Sequence, residues 1–219
     1  REDMARAGAP IGSRNAMSLT PRVFWQSMTH PTWALAALQN GGKFRFKNLE
    51  PYYDAGSFDN VTQFIGSQLN GSLDWDYLNE IRAAWDGPLI LKGILNGQDA
   101  TRAVAAGVDG LIVSNHGGRQ LDAVPASIDL LEAIRSSVGP KVPLLFDSGV
   151  RSGLDIARAL AAGADFVMCG RAFMYGVAAL GEPGPDHVLA VLKDELENTM
   201  VQLGLERIAD LPTALSRQS

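Results

Sequence analysis

The sequence predicts an α/β fold built on a parallel sheet, and three observations carry that expectation. From residue 75 onward, short apolar runs alternate with amphipathic helical stretches. Those runs are apolar throughout rather than at every second residue, as strands covered on both faces are. The third is an internal repeat. Asp99-Ala-Thr-Arg-Ala-Val-Ala-Ala-Gly107-Val-Asp109 returns as Asp155-Ile-Ala-Arg-Ala-Leu-Ala-Ala-Gly163-Ala-Asp165, an offset of 56 residues (99 to 155). Each copy is a helix, a glycine turn and a following strand. That offset is about two βα units of a TIM (β/α)8 barrel, at ~31 residues per unit. Four consecutive βα units, half a barrel, are expected.

The two parts of the chain differ in character. In residues 1–74 the apolar runs are broken by Gly8, Pro10, Gly12, Pro21, Pro31, Gly41, Gly42, Pro51 and Gly56. Two helices are predicted there, Pro21 to about Gln39 and Asp59 to about Leu69, within a long loop or lid. Residues 75–219 carry the barrel units. Trp75–Trp85 is a helix, and Leu89–Lys92 a short buried strand. Asn96 caps a helix to Ala106, with Gly107 just past its end. Gly110–Ser114 is a strand, Ile128–Ser137 a helix and Val142–Phe146 a strand. Ser152 caps a helix ending near Gly163, Phe166–Cys169 is a fourth strand, and Asp186 caps a last helix to about Leu203.

Composition bounds the function. The 219 residues carry 19 Lys and Arg against 24 Asp and Glu, a net charge of −5, with 46% hydrophobic residues. Such a balance is that of an ordinary globular chain and disfavours nucleic acid as the main partner. The single cysteine, Cys169, excludes a disulfide framework within the chain and suits a reducing, cytoplasmic setting. No apolar run reaches the roughly 20 residues of a membrane helix. The sequence begins at Arg1 rather than Met, inside a charged stretch, so an upstream segment is expected.

Barrel chemistry sits at the C-terminal ends of the strands. Here those ends read Lys92, Ser114-Asn-His-Gly-Gly-Arg119, Asp147-Ser-Gly-Val-Arg151 and Gly170-Arg171. Asp147, Ser148, Gly149, Val150 and Arg151 lead into a helix N-terminus, which offers amide donors and a dipole to an anion. Gly170 and Arg171 add a second backbone approach and guanidinium. His116, with Arg119 three residues on, pairs a base with an anion clamp. Lys92 ends an apolar strand and needs a partner, either a carboxylate or an electron-rich ligand atom. His30 and His187 read as solvated or structural, Cys169 as a small core residue, and Asp99, Asp109, Asp155 and Asp165 as helix-end caps.

In this order, Leu91-Lys-Gly, Ser114-Asn-His-Gly-Gly-Arg-Gln-Leu-Asp122, Asp147-Ser-Gly-Val-Arg-Ser-Gly153 and Gly170-Arg-Ala172 resemble the FMN-dependent 2-hydroxy-acid dehydrogenases and oxidases. Thr29-His-Pro-Thr-Trp33 and Ser72-Leu-Asp-Trp75 look most like the bacterial L-lactate dehydrogenases. The resemblance implies FMN as cofactor, a small L-2-hydroxy acid as substrate, and the last four βα units of the barrel for this chain. It implies His116 as the base taking the hydroxyl proton and Arg119 as the carboxylate clamp. Arg1, in Arg1-Glu2-Asp3, resembles the tail of the family's fourth-strand motif, the second carboxylate-binding arginine. Lys92 and Ser114 would lie by the flavin; Asp147 to Arg151, with Gly170 and Arg171, would hold the ribityl chain and phosphate. The family's N-terminal half-barrel is then expected as a separate or nicked chain, and a homo-oligomer (a tetramer) with peripheral contact at the inner membrane face is implied. Competing expectations are a 2-hydroxy-acid oxidase using oxygen, a non-catalytic phosphate-binding half barrel, and a phosphate-sugar isomerase.

Overall fold

In a computed structural model of the chain, the described residues are 21–39, 48–52, 64 and 73–215. The chain divides into two compact units, Arg1–Ser72 and Leu73–Ser219. In the first, α1 (Pro21–Thr29) and α2 (Pro31–Gln39) are separate helices, not the single one expected. Pro31 is the reason: it donates no backbone hydrogen bond and pushes His30 out of the helical region. Both helices open on proline, where the missing N–H costs nothing. Arg1, and nearly all of the helix expected over Asp59–Leu69, lie outside the described residues.

The second unit runs α3 (Trp75–Ala84), β1 (Ile90–Ile94), α4 (Gly97–Ala105), β2 (Gly110–Val113), α5 (Ser127–Val138), β3 (Leu144–Phe146), α6 (Gly153–Ala161), β4 (Phe166–Val167), α7 (Arg171–Leu180) and α8 (Gly184–Leu203). All four strands are parallel and pair in chain order, β1-β2-β3-β4. Helices thus alternate with neighbouring strands, the βα progression expected of a barrel wall. Its core is Leu111 and Val113 of β2, Leu144 and Phe146 of β3, and Leu131 and Ile134 of α5. Each buried side chain of this size contributes about 1.5–3 kcal/mol. The repeat's alanines have a packing purpose. Ala100 and Ala103 of α4, and Ala157 and Ala159 of α6, are buried, and small side chains let each helix settle close to the sheet.

The caps fall where the sequence puts them. Asn96 Oδ1 accepts from the Asp99 amide at 2.8 Å. Ser152 and Asp155 form a reciprocal capping box. Elsewhere the structure corrects the reading. Leu89–Lys92 is not a buried strand: β1 spans Ile90–Ile94 at an edge of the sheet, with Ile90 47% exposed. Its register with β2 shifts between Lys92 and Ile94, and Gly93 takes the bulge at φ 99°. Phe166, on the opposite edge strand, is 60% exposed. Cys169 lies beyond β4, half-buried; burial and the nearby Asp155 charge raise its thiol pKa, which suits no nucleophile. Asp186 lies in the first turn of α8, whose cap position is held by Pro183. Helix α7 was not anticipated at all.

Asp109 and Asp165 do not cap helices either. Arg82 of α3 donates to Asp109 Oδ2 and to the Gly107 carbonyl, both at 3.1 Å, while the Leu89 amide reaches the same carboxylate at 2.7 Å. Arg135 of α5 repeats this with Asp165 Oδ2 at 2.6 Å and the Gly163 carbonyl at 2.8 Å, and the Leu144 amide binds Asp165 at 2.8 Å. The recurring aspartate therefore ties the start of its own strand to the strand before it. That is the physical content of the repeat.

Candidate functional site

The loop after β2 turns through three successive left-handed residues, His116 (φ 56°), Gly117 (φ 67°) and Gly118 (φ 72°). Two glycines make such a turn accessible; the histidine bears a strain of order 1–3 kcal/mol. Ser148, after β3, is the other described non-glycine residue with positive φ, at 86°. Both strained residues belong to one hydrogen-bonded ring that links Lys92 of β1 to the loops after β2 and β3. Lys92 Nζ donates to Ser114 Oγ at 2.7 Å, and the His116 amide donates to the same oxygen at 3.1 Å. The next amide, Gly117, donates to Ser148 Oγ at 3.1 Å, and Ser148 donates to Asp147 Oδ1 at 2.8 Å. Asp147 Oδ2 closes the ring on Lys92 Nζ at 2.9 Å.

The ring supplies the partner that Lys92 needs. It is a carboxylate, and 43% of the Lys92 side chain stays exposed. Asp147 is ionised. Partial burial alone would raise its pKa, but hydrogen bonds from Ser114, Lys92 and Ser148, with the Lys92 charge, hold it below the usual carboxylate range.

Beside the ring lies a cleft of about 440 Å³ whose lining includes Gly117, Asp122, Ser148, Gly149, Arg158 and Arg171. The Arg171 guanidinium lies against Gly117, 3.6 Å from where a Cβ there would stand. An anion needs free donors, and the structure relocates them. The N-terminus of α6, expected to supply them, is spent on the protein itself. Asp155 Oδ2 takes the Arg151 and Ser152 amides at 3.1 Å each, and Glu195 Oε2 takes Gly153 at 2.7 Å. By contrast the amides of Ser148, Gly149, Val150 and Gly170 donate no hydrogen bond among the described residues. Helix α7 starts at Arg171 with no side-chain cap. An uncapped helix start after the last strand, beside an arginine and free amides, suits a phosphate.

The residues singled out thus fall into groups. Lys92, Ser114, His116, Asp147 and Ser148 share the ring, and Ser148, whose hydroxyl is bound within it, also lines the cleft. Gly149, Val150 and Arg171 line the cleft; Gly170 caps α7, with open space where its Cβ would be. Arg119 and Arg151 are exposed, make no ion pair among the described residues and do not line the cleft. Arg1 lies outside the described residues. Sequence reasoning overlooked Ser127. Its side chain is buried, and its hydroxyl donates to the Asp147 carbonyl at 3.0 Å. A serine opening a helix reads as an ordinary cap, so nothing in the pattern set it apart.

The family model for FMN-dependent dehydrogenases matches residues 1–218. An L-lactate dehydrogenase of Pseudomonas entomophila is 44% identical over 193 residues, 87% of this chain and 50% of that protein. An L-lactate dehydrogenase of Acinetobacter baylyi is 42% identical over 191 residues, with the same coverage of 87% and 50%. The chain spans about half the length of the curated relatives it matches. Among solved structures, the monotopic membrane protein (S)-mandelate dehydrogenase superposes with a TM-score of 0.85 and 35% identity, over 100% of this chain and 57% of that one. A mandelate oxidase variant bound to (S)-mandelic acid gives 0.62 and 40% identity, over 64% of this chain and 42% of its own.

Proposed function

The chain belongs to the FMN-dependent dehydrogenase family, and on that premise we propose that its strand ends form part of the site of an L-2-hydroxy-acid dehydrogenase. The reaction is oxidation of a small L-2-hydroxy acid, lactate first, to the 2-keto acid. The observation that carries this reading is the ring, which holds His116 beside the partly exposed Lys92 and an arginine-lined cleft. These residues fit the cofactor. The phosphate would rest on Arg171, the α7 N-terminus and the free amides of Ser148 to Val150. Gly149 and Gly170 leave open space there for the ribityl chain, and Arg151 adds charge at its rim. Lys92, with Ser114 behind it, would face the flavin edge where negative charge collects. FMN, when bound, supplies at its N5 position the acceptor for the substrate's α-hydrogen.

The chain's own residues do the rest. The His116 imidazole takes the proton of the substrate hydroxyl, and its strained backbone is the means of presenting it. Arg119, whose guanidinium makes no hydrogen bond or ion pair among the described residues, would pair bidentately with the carboxylate; Arg1 would be the second arginine of that clamp. Around this core the same reading places four further strands closing the barrel against β1 and β4, supplied by an N-terminal half, a homo-oligomer, and a cytoplasmic protein touching the membrane's inner face. No helix among the described residues is long and apolar enough to cross a membrane. Exposed Phe24, Trp25 and Trp33 on α1 and α2 support surface contact instead.

The test is anaerobic stopped-flow bleaching of the flavin by L-lactate and by (S)-mandelate. Mandelate is included because mandelate enzymes are among the structural neighbours. L-lactate should bleach the flavin fastest. His116→Asn should stay yellow and slow reduction by about 10²–10⁴-fold, the usual worth of a general base. Parental reduction rates in that variant would remove His116 as the base.

A further inference from the structure

We propose that Ser148 is a positioning residue: its hydroxyl clasps the loop carrying His116 to the Lys92–Asp147 ion pair and so fixes where the imidazole points. The proposal rests on the reading of His116 as the base. Ser148 does not touch the reacting atoms.

Three observations carry it. First, the backbone at 148 asks for glycine: φ is 86°, a region that L side chains rarely adopt. A serine held there against that preference points to a used side chain. Second, the hydroxyl has two partners on opposite sides. It accepts from the Gly117 amide at 3.1 Å and donates to Asp147 Oδ1 at 2.8 Å. Gly117 follows His116 directly, and both are left-handed. Third, the clasp completes a closed ring. On the other side Ser114 Oγ joins the His116 amide to Lys92 Nζ, and Lys92 meets Asp147 at 2.9 Å. Two consecutive amides, 116 and 117, are thus pinned by two serines that end on the two members of one ion pair.

Each serine fixes one peptide plane, and two adjacent planes fix the Cα–Cβ direction of His116 between them. The Gly117 amide is shared with Asn115 Oδ1 at 3.0 Å, but that bond lies within the loop itself; without Ser148, Ser114 is the one serine still tying these amides to the Lys92–Asp147 pair. The ion pair supplies the rigid end of the clasp. Asp147 is itself anchored, its amide donating to Val113 at 3.1 Å and its carbonyl accepting from Ser127 at 3.0 Å. Removing the Ser148 hydroxyl therefore loosens the tie between the loop and the ion pair while the Lys92–Asp147 contact at Oδ2 remains, and a misplacement of about 1 Å in such a group is worth up to about 100-fold in rate.

The experiment compares Ser148→Gly with Ser148→Ala in the FMN-loaded protein. Glycine removes the hydroxyl and relieves the backbone; alanine removes the hydroxyl and keeps the strain, so a fault in folding strikes only the second. Amide hydrogen exchange at Gly117, flavin reduction at saturating substrate, substrate dissociation constant and flavin retention are measured together. Both variants should speed Gly117 exchange and slow flavin reduction by about 10–100-fold. Substrate affinity and flavin retention should change less than about threefold, because the backbone amide of residue 148 remains. Parental exchange and reduction in Ser148→Gly would overturn the proposal. Loss of flavin from Ser148→Gly would also overturn it, by making the hydroxyl a cofactor contact. Failure of the underlying reading looks different: His116→Asn then reduces its flavin at the parental rate, while Gly117 exchange still responds to residue 148.

Discussion

The two ends of the same four-stranded sheet use the same residue types in opposite ways. At the strand starts, arginines are consumed by the protein. Arg135 donates to the carbonyls of Gly139, Val142 and Gly163 at 2.8–2.9 Å and to Asp165 at 2.6 Å, and only 17% of its side chain is exposed. Arg82 does likewise with Asp109 and the carbonyls of Trp85, Gly87 and Gly107. At the strand ends, Arg119, Arg151 and Arg171 make no ion pair among the described residues. The backbone there also bears two strained non-glycine residues, His116 and Ser148. The difference separates the guanidiniums that close the fold from those left over for a ligand. It matches the general division of barrels into a stabilising bottom face and a chemical top face.

That contrast can be broken from either side. Arg135→Ala removes four hydrogen bonds from a mostly covered guanidinium and leaves Asp165 facing the Leu144 amide alone. Losing hydrogen bonds to a charged group costs about 1.5–3 kcal/mol, so the urea midpoint should fall clearly while flavin reduction holds. Arg171→Ala should behave in the reverse manner. Its guanidinium makes no hydrogen bond or ion pair among the described residues, so stability without flavin should hold. The FMN dissociation constant should rise about tenfold or more, at 1.4 kcal/mol per decade, as equilibrium dialysis would show. If Arg171→Ala unfolds the protein or Arg135→Ala sheds flavin, the division of labour between the two ends is wrong.

The same contrast explains what was legible in the sequence. Periodicity and caps are local, and they placed α4, α6 and most strands within a few residues. Of the repeat's aspartates, Asp99 and Asp155 sit at helix caps as read, but Asp109 and Asp165 are misassigned, because their partners Arg82 and Arg135 lie 27 and 30 residues away. No local pattern announces such a pairing. The Ser114–Arg119 and Asp147–Arg151 segments were legible because polar residues at the end of an apolar strand have no packing excuse. Which helix would face an anion was not legible. That depended on Glu195, 42 residues from Gly153, occupying one N-terminus and leaving α7 open.

The smallest expected effect is a pH dependence, and it sharpens the contrast by asking whether the strand-end ring also holds the fold. Burial works against the charge of Asp147, but hydrogen bonds from Ser114, Lys92 and Ser148 and the Lys92 ammonium outweigh it, so its folded pKa is depressed. A depressed carboxyl contributes stability that is complete above its unfolded value of ~3.9 and is lost as pH falls through the folded value. Asp147→Asn keeps nearly the same shape and an acceptor for the Ser148 hydroxyl, but it carries no charge for Lys92. The parent should therefore be the more stable protein near neutral pH, and the gap in urea midpoint should close below about pH 4 as its own Asp147 takes a proton. Midpoints measured for both proteins at about pH 7 and about pH 3 decide it. A gap of the same size at both values would mean that residue 147 stabilises the fold by shape alone, leaving the Lys92–Asp147 pair to the chemistry of the site.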